Sequence, residues 1–157
     1  MAYKLKFMKT KVFIISLAAF FLILSYDSSS QVTKIPEQAK ENFSKQYPSA
    51  QKVNWDNDLI NVNVRFELDG EQMNAEYSNR GIWKKTEKKW SYDKLPDAVK
   101  DGFTKSKYAD RGVTEAVILY LPGDVEQYRL KVERNDLQKK YLFFNKEGRL
   151  LRGAITI

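Results

Sequence analysis

The sequence predicts an α+β protein of two tandem repeats, each one helix followed by an antiparallel meander of about four strands, packed as one compact unit. Three observations carry this. The stretch Lys34-Ile35-Pro36-Glu37-Gln38-Ala39-Lys40-Glu41-Asn42-Phe43-Ser44-Lys45 returns sixty positions later as Lys94-Leu95-Pro96-Asp97-Ala98-Val99-Lys100-Asp101-Gly102-Phe103-Thr104-Lys105. Its basic, aliphatic, Pro, acidic, Lys and Phe positions keep register, which reads as an internal duplication. After each copy the apolar spacing changes from four to two, the mark of a helix giving way to strands. Asn, Asp and Gly turn signals then punctuate the alternating runs.

In the first copy, Pro36 suits a helix start and Glu37 favours its positive end. Ile35, Ala39, Phe43 and Tyr47 form one apolar stripe, and Tyr47-Pro48 ends the helix. Val53 and Trp55 share one parity on a first strand, and Asp56-Asn57-Asp58 turns the chain. Ile60, Val62, Val64, Phe66 and Leu68 alternate with polar residues, giving a strand with one dry and one wet face. Asp69-Gly70 is a hairpin signal, Met73, Ala75 and Tyr77 continue the alternation, and Asn79-Arg80-Gly81 turns into a strand opening at Ile82-Trp83.

The second copy repeats the order. Leu95, Val99 and Phe103 form the stripe, on a helix that Gly102 should shorten or fray. Val113 to Leu121 is nearly continuous in apolar residues and so predicts a central strand buried on both faces. Pro122-Gly123-Asp124 turns, and Tyr128, Leu130 and Val132 alternate. Asn135-Asp136 turns again, Leu142 and Phe144 carry the next strand, and Lys146-Glu147-Gly148 precedes a last strand from Leu150. A sixty-residue half buries only about 60% of its unfolded surface, so the halves should share one core with both helices on one side.

Upstream, Lys9 and Lys11 precede the apolar run Val12 to Leu24, too short to span a bilayer and of the length of a signal core. Ser28 and Ser30 offer cleavage before Gln31, and Met8 is an alternative start. The expected organisation is 1–30 signal peptide, 31–90 first repeat and 91–157 second repeat, in a secreted, periplasmic protein.

Composition narrows the chemistry. The 157 residues contain no Cys and no His, which excludes thiolate nucleophiles, His-based acid–base catalysis and zinc sites built on either. Net charge is +7, and setting aside the first thirty residues (four lysines, one acid) leaves 23 basic against 19 acidic, or +4. That is well short of a nucleic-acid arm. There is no phosphate loop and no nucleophile elbow. Asp56-Asn57-Asp58 lacks the Gly and distal Glu of a calcium loop and reads as a turn. No catalytic residue, metal ligand or cofactor is predicted.

The order Ile/Leu-Pro-acidic-x-x-Lys-x-x-Phe, a Tyr-Pro exit, a Trp-bearing strand and alternating strands ending in an Asn-x-x-Gly turn resembles the PepSY-like periplasmic proteins, also labelled beta-lactamase-inhibitor-like. The resemblance spans Lys34 to Leu151 in both copies. It implies a helix-plus-antiparallel-sheet fold in the envelope without enzymatic activity, and related PepSY domains are associated with binding peptidases. The second copy has Tyr108-Ala109 in place of Tyr-Pro and lacks the strand Trp, so the first copy is the better candidate for binding.

The expected function is a secreted binding module that binds or inhibits a protein or peptide partner in the envelope. The sheet faces left bare by the helices would do this, through Asn61, Asn63, Arg65, Glu67, Asn74 and Glu76 in the first copy and Arg129 and Lys131 in the second. Trp55 and Trp83 read as core, whereas Trp90 and Tyr92 lie outside any apolar alternation and read as exposed aromatics or as the cover of a helix end. The run Lys84-Lys85-Thr86-Glu87-Lys88-Lys89 reads as a guarded edge strand. Its alternative is contact with an anionic envelope component; a purely structural envelope role is the third reading.

A chain beginning at Gln31 is expected to fold and remain soluble, checked by circular dichroism and size exclusion. Insolubility that is relieved by restoring the apolar run would count against the assignment.

Overall fold

The computed structural model describes residues 34–58, 60–134 and 139–155. The expected signal peptide and the Asn135-Asp136 turn lie outside the described residues. Helix α1 (Glu37–Gln46) leads into strands β1 (Gln51–Asn57), β2 (Asn61–Leu68), β3 (Glu71–Ser78) and β4 (Trp83–Trp90). A 3-10 turn (Tyr92–Lys94) and helix α2 (Asp97–Thr104) lead into β5 (Gly112–Leu121), β6 (Val125–Glu133), β7 (Lys139–Asn145) and β8 (Leu150–Ile155). The strands form one eight-stranded antiparallel sheet in chain order, within one compact unit from Thr33 onward.

Strand alternation sends every second side chain to the same face, and the register carries one face across the sheet. Val62, Val64 and Phe66 pair with Tyr77, Ala75 and Met73; Ala75 pairs with Thr86, and Thr86 with Tyr120. Both helices pack on this face. Ala39 and Phe43 of α1 join Val62, Val64, Phe66, Ala75 and Tyr77 in one core. Val99 and Phe103 of α2 join Ala116, Ile118, Leu130, Val132, Leu142 and Phe144 in a second. Phe43 sits among Tyr47, Trp55 and Phe66 at ring separations of 5.0–5.5 Å. Phe103 meets Tyr92 at 6.2 Å.

The turns after β3 and β7 key each helix to the sheet. Gly81 and Gly148 both adopt positive φ, 77° and 78°, and both press on helix backbone. A Cβ on Gly81 would lie 2.7 Å from Ala39 N, and one on Gly148 would collide with the Ala98 carbonyl. Asn42 of α1 donates its side-chain amide to the Gly81 carbonyl at 2.8 Å. At the corresponding place in α2 stands Gly102, whose missing side chain leaves room for the Gly148 carbonyl. α2 is the shorter helix, eight residues against ten, and Gly102 is there for helix–turn contact.

Several expectations need correction. Lys84–Lys89 does not form an edge: β4 is central, hydrogen-bonded to β3 and β5, and the edges are β1 and β8. Val53 does not share the buried parity of Trp55, because a bulge between Gln51 and Asn54, with Lys52 at φ 52°, shifts the register. β1 continues through Asp56 and Asn57, and the turn begins at Asp58, whose carboxylate accepts from the Ile60 and Asn61 amides at 3.2 and 2.7 Å. Ile60 is consequently exposed and outside β2. The 3-10 turn before α2 was not anticipated.

Phe43→Ala and Phe103→Ala are each expected to lose about 3–5 kcal/mol, the range for a buried aromatic, with the larger loss at Phe43 because three rings surround it. Chemical denaturation measures both, and a loss under about 1 kcal/mol at both sites would contradict the core assignment. Gly102→Ala provides a test of sign. Helix propensity alone would stabilise by about 1 kcal/mol, whereas collision with the Gly148 carbonyl predicts a lower Tm.

Candidate functional site: the open face of the sheet

The opposite face gathers the other parity. Asn63 pairs with Glu76, Arg65 with Asn74 and Glu67 with Gln72. Glu76 then pairs with Lys85 and Asn74 with Glu87 on β4. Across the centre, Glu87 opposes Leu119 and Lys89 opposes Val117; Val117 opposes Arg129, and Arg129 opposes Phe143. The first half of this face is polar, and the second carries an apolar patch of Val117, Leu119 and Phe143 with Tyr141. Among the described residues that patch is made of strand residues only. Arginines lie over it, with the Arg129 Cζ 4.9 Å from the Tyr141 ring and the Arg152 Cζ 4.1 Å from the Phe143 ring.

A ladder of ion pairs crosses the strands here. The register shift between Glu76 and Tyr77 brings both Lys84 and Lys85 to Glu76, at 3.7 and 3.3 Å. Lys84 also donates to the Asn61 side-chain oxygen. Lys85 reaches Glu87 at 2.7 Å. Arg129 holds Glu87 with two parallel hydrogen bonds of 2.9 Å and Glu115 with a third of 3.1 Å. Such a fork is the strong geometry for an Arg–carboxylate pair. Burial would raise the Glu87 carboxyl, but Lys85 and Arg129 together outweigh it and hold it below the usual carboxylate range. Burial likewise acts to lower Arg129 and Lys85, and their carboxylate partners reverse the sign.

A groove of about 460 Å³ runs along this face, lined by Lys52, Arg65, Gln72, Asn74, Lys89 and Arg129 among others. A second depression of about 330 Å³ shares Lys89 and Glu115 with it and is lined by Trp90, Tyr92, Val113 and Ala116. Of the residues expected to bind, Asn61, Asn63, Arg65, Glu76, Arg129 and Lys131 all fall on the open face, as do Glu67 and Asn74. Arg65 is exposed, whereas Arg129 is locked into the ladder. Lys131 pairs with Glu133 at 3.4 Å.

Trp90 and Tyr92 are not free aromatics. Both are half-buried against the second core, and the Trp90 indole N–H donates to the Lys94 carbonyl at 3.1 Å. Trp90 has the helix-side parity of Thr86, and both aromatics line the second depression, which meets the groove at Lys89 and Glu115. Glu87 and Lys89 were anticipated only as members of the Lys84–Lys89 run, and Glu115 was not anticipated as a site residue. Glu115 had a visible signal, as the single charged residue within Val113 to Leu121 and of the same parity as Val117 and Leu119.

Among the described residues no group of carboxylates could hold a metal ion, and no helix is long and apolar enough to cross a membrane.

Comparison with known proteins places the chain. No curated protein matches it. A BLIP-like protein from Bacteroides fragilis is similar in structure, with TM-score 0.73 and 24% identity over 83% of this chain and 92% of that one. A DUF2874 family protein from Bacteroides ovatus gives TM-score 0.70 and 27% identity over 78% and 88%. One described as a "putative periplasmic" protein from Bacteroides eggerthii gives TM-score 0.68 and 22% identity over 78% and 89%. Residues 61–152 match the family described as "Putative beta-lactamase-inhibitor-like, PepSY-like". With more than half its length inside that match, and with the helix-backed antiparallel sheet that its neighbours share, the chain belongs to the PepSY-like, beta-lactamase-inhibitor-like family.

Proposed function

We propose that this protein is a secreted, non-enzymatic binding module of the cell envelope, whose open sheet face binds or inhibits a protein or peptide partner. The observation that carries this is the asymmetry of the sheet. Both helices pack on one face, and the other presents a groove backed by an ordered ladder of charges. The family description and the BLIP-like neighbour support a protein partner, and the periplasmic neighbour supports export by residues 1–30. We read residues 31–90 and 91–157 as two copies of one unit. The matched contacts of Gly81 on α1 and Gly148 on α2 support that reading.

Recognition of an anionic polymer by the Lys84–Lys89 run is less well supported. Its members alternate between faces: Lys84 and Lys85 are neutralised by Glu76 and Glu87, and Lys88 lies 4.5 Å from the Trp90 ring with Glu71 nearby at 3.8 Å. Only Lys89 of the run is both exposed and without an ion pair among the described residues. Charge reversal of the whole run would therefore damage the fold before it tested binding. Salt dependence is the cleaner discriminator, since summed-charge binding is screened beyond about 8 Å at physiological ionic strength.

The absence of cysteine makes the face directly testable. The Asn74→Cys variant, tagged with a polyethylene-glycol maleimide, is expected to lose a partner captured from envelope extract by the chain from Gln31. The same tag on Glu41→Cys, on the exposed side of α1, should leave capture unchanged. Equal loss or equal retention with both tags would contradict the assignment of the face.

The ladder itself predicts an acid-side stability loss. The depressed Glu87 carboxyl contributes stability that is present above its unfolded value of about 4.3 and is lost as pH falls through the lower folded value. Glu87→Gln should flatten this limb of the pH–stability curve. Arg129→Ala should cost about 2–3 kcal/mol, because it leaves two partly buried carboxylates short of their partner. Unfolding curves at pH 7 and pH 3 measure both.

A further inference from the structure

The charges of the groove point to the chemistry of its occupant. Each carboxylate that lines it is already matched: Glu67 by Lys52 at 2.7 Å, Glu87 by Lys85 and Arg129, and Glu115 by Arg129. Two of its cations are not. Arg65 and Lys89 are exposed and make no ion pair among the described residues. The groove thus offers two unneutralised positive charges set among neutralised negative ones. Two separate free cations set among matched pairs fit spaced single carboxylates, whereas a dense polyanion would find no continuous run of free positive charge here.

The adjoining depression supplies the second half of the specificity. It meets the groove at Lys89 and Glu115, and its walls include Trp90, Tyr92, Val113 and Ala116. Its volume of about 330 Å³ exceeds that of any single aliphatic or aromatic side chain. The Trp90 indole N–H is already satisfied by the Lys94 carbonyl, and Lys88 and Lys94 lie 4.5 and 5.6 Å from its ring, so Trp90 adds no unmatched polar group to the walls of this space.

We propose that the partner segment received by this face is acidic and carries one apolar anchor: its carboxylates meet Arg65 and Lys89, and the anchor enters the depression beside Trp90. This rests on the reading of the open face as the partner surface. Neither cation is spent on holding the fold, so both can be reversed without breaking an internal pair.

The test is selection of a random phage-displayed peptide library on the full chain from Gln31, followed by titration of the selected peptides by fluorescence polarisation. The selected sequences should be enriched in Asp and Glu near one large apolar residue. Arg65→Glu and Lys89→Glu should each weaken binding by roughly tenfold. Thr114→Trp, at an exposed residue of the depression, should weaken it comparably, while thermal unfolding confirms that all three variants fold. Peptides without acidic enrichment, or affinities unmoved by both reversals while a tag on Asn74→Cys still blocks binding, would overturn the acidic partner and leave the face assignment standing. Peptides that bind the tagged and untagged Asn74→Cys protein equally would overturn the face assignment as well. Failure to select any peptide would also count against the proposal.

Discussion

The close approach of two turns to two helix backbones is the constraint on which the rest of this structure depends. Isolated helices of eight and ten residues are too short to persist in water. At about 1.5 Å per residue, α1 is about 15 Å long, against a sheet whose eight strands extend about 34 Å at a spacing of about 4.8 Å. Neither helix could cover that width alone. Gly81 and Gly148 fix each helix on its own half of the sheet, and the result is two cores on one face. Any side chain at these glycines would both lift the helix and strain the backbone, because their φ values lie in the left-handed region.

Two cores on one sheet leave a seam, and the seam is polar. Thr86, fully buried on β4, pairs across the backbone with Ala75 of one half and Tyr120 of the other. Its hydroxyl accepts from the Trp83 indole at 2.9 Å and shares a 2.6 Å hydrogen bond with the Tyr47 hydroxyl. Burial pushes the Tyr47 phenol up, keeping it a neutral partner for Thr86. The Tyr-Pro exit of α1 therefore has a tertiary role beyond ending the helix. It places Tyr47 where the two cores meet, and Tyr108-Ala109 in the second half has no such seam to close.

How far the sequence carried can be judged from particular residues. The period-two runs located β2, β3 and β6, because one face of each packs under a helix and the alternation is clean, whereas β7 was located by Leu142 and Phe144 within a run that is apolar on both faces. The centrality of β5 was legible from Val113 to Leu121, since Ala116 and Ile118 enter the helix-side core while Val117 and Leu119 form the patch opposite. The place of β4 was not. Its lysines suggested an edge, yet Lys84, Lys85 and Lys88 are paired with Glu76, Glu87 and Glu71 on the strand itself and its neighbour, and no local pattern reveals the cross-strand pairs. Trp90 and Tyr92 failed as exposed aromatics for a related reason: what they cover comes from α2 and β5, further along the chain.

The distinction between Arg65 and Arg129 is the last consequence of this pairing. Both stand at polar positions of equivalent-looking strands, and the sequence ranks them alike. Arg129 is consumed by Glu87 and Glu115, so its charge fixes the sheet and contributes little attraction to an incoming partner. Arg65 lies across β3 from that network, where Asn74, the residue opposite, offers no carboxylate. A partner can gain a new charge-assisted hydrogen bond only from a cation that is not already engaged, because displacing an existing partner returns the cost of unpairing it. The rigid ladder and the free cations therefore divide the work of the face: one holds the strands in register, and the other remains available for recognition.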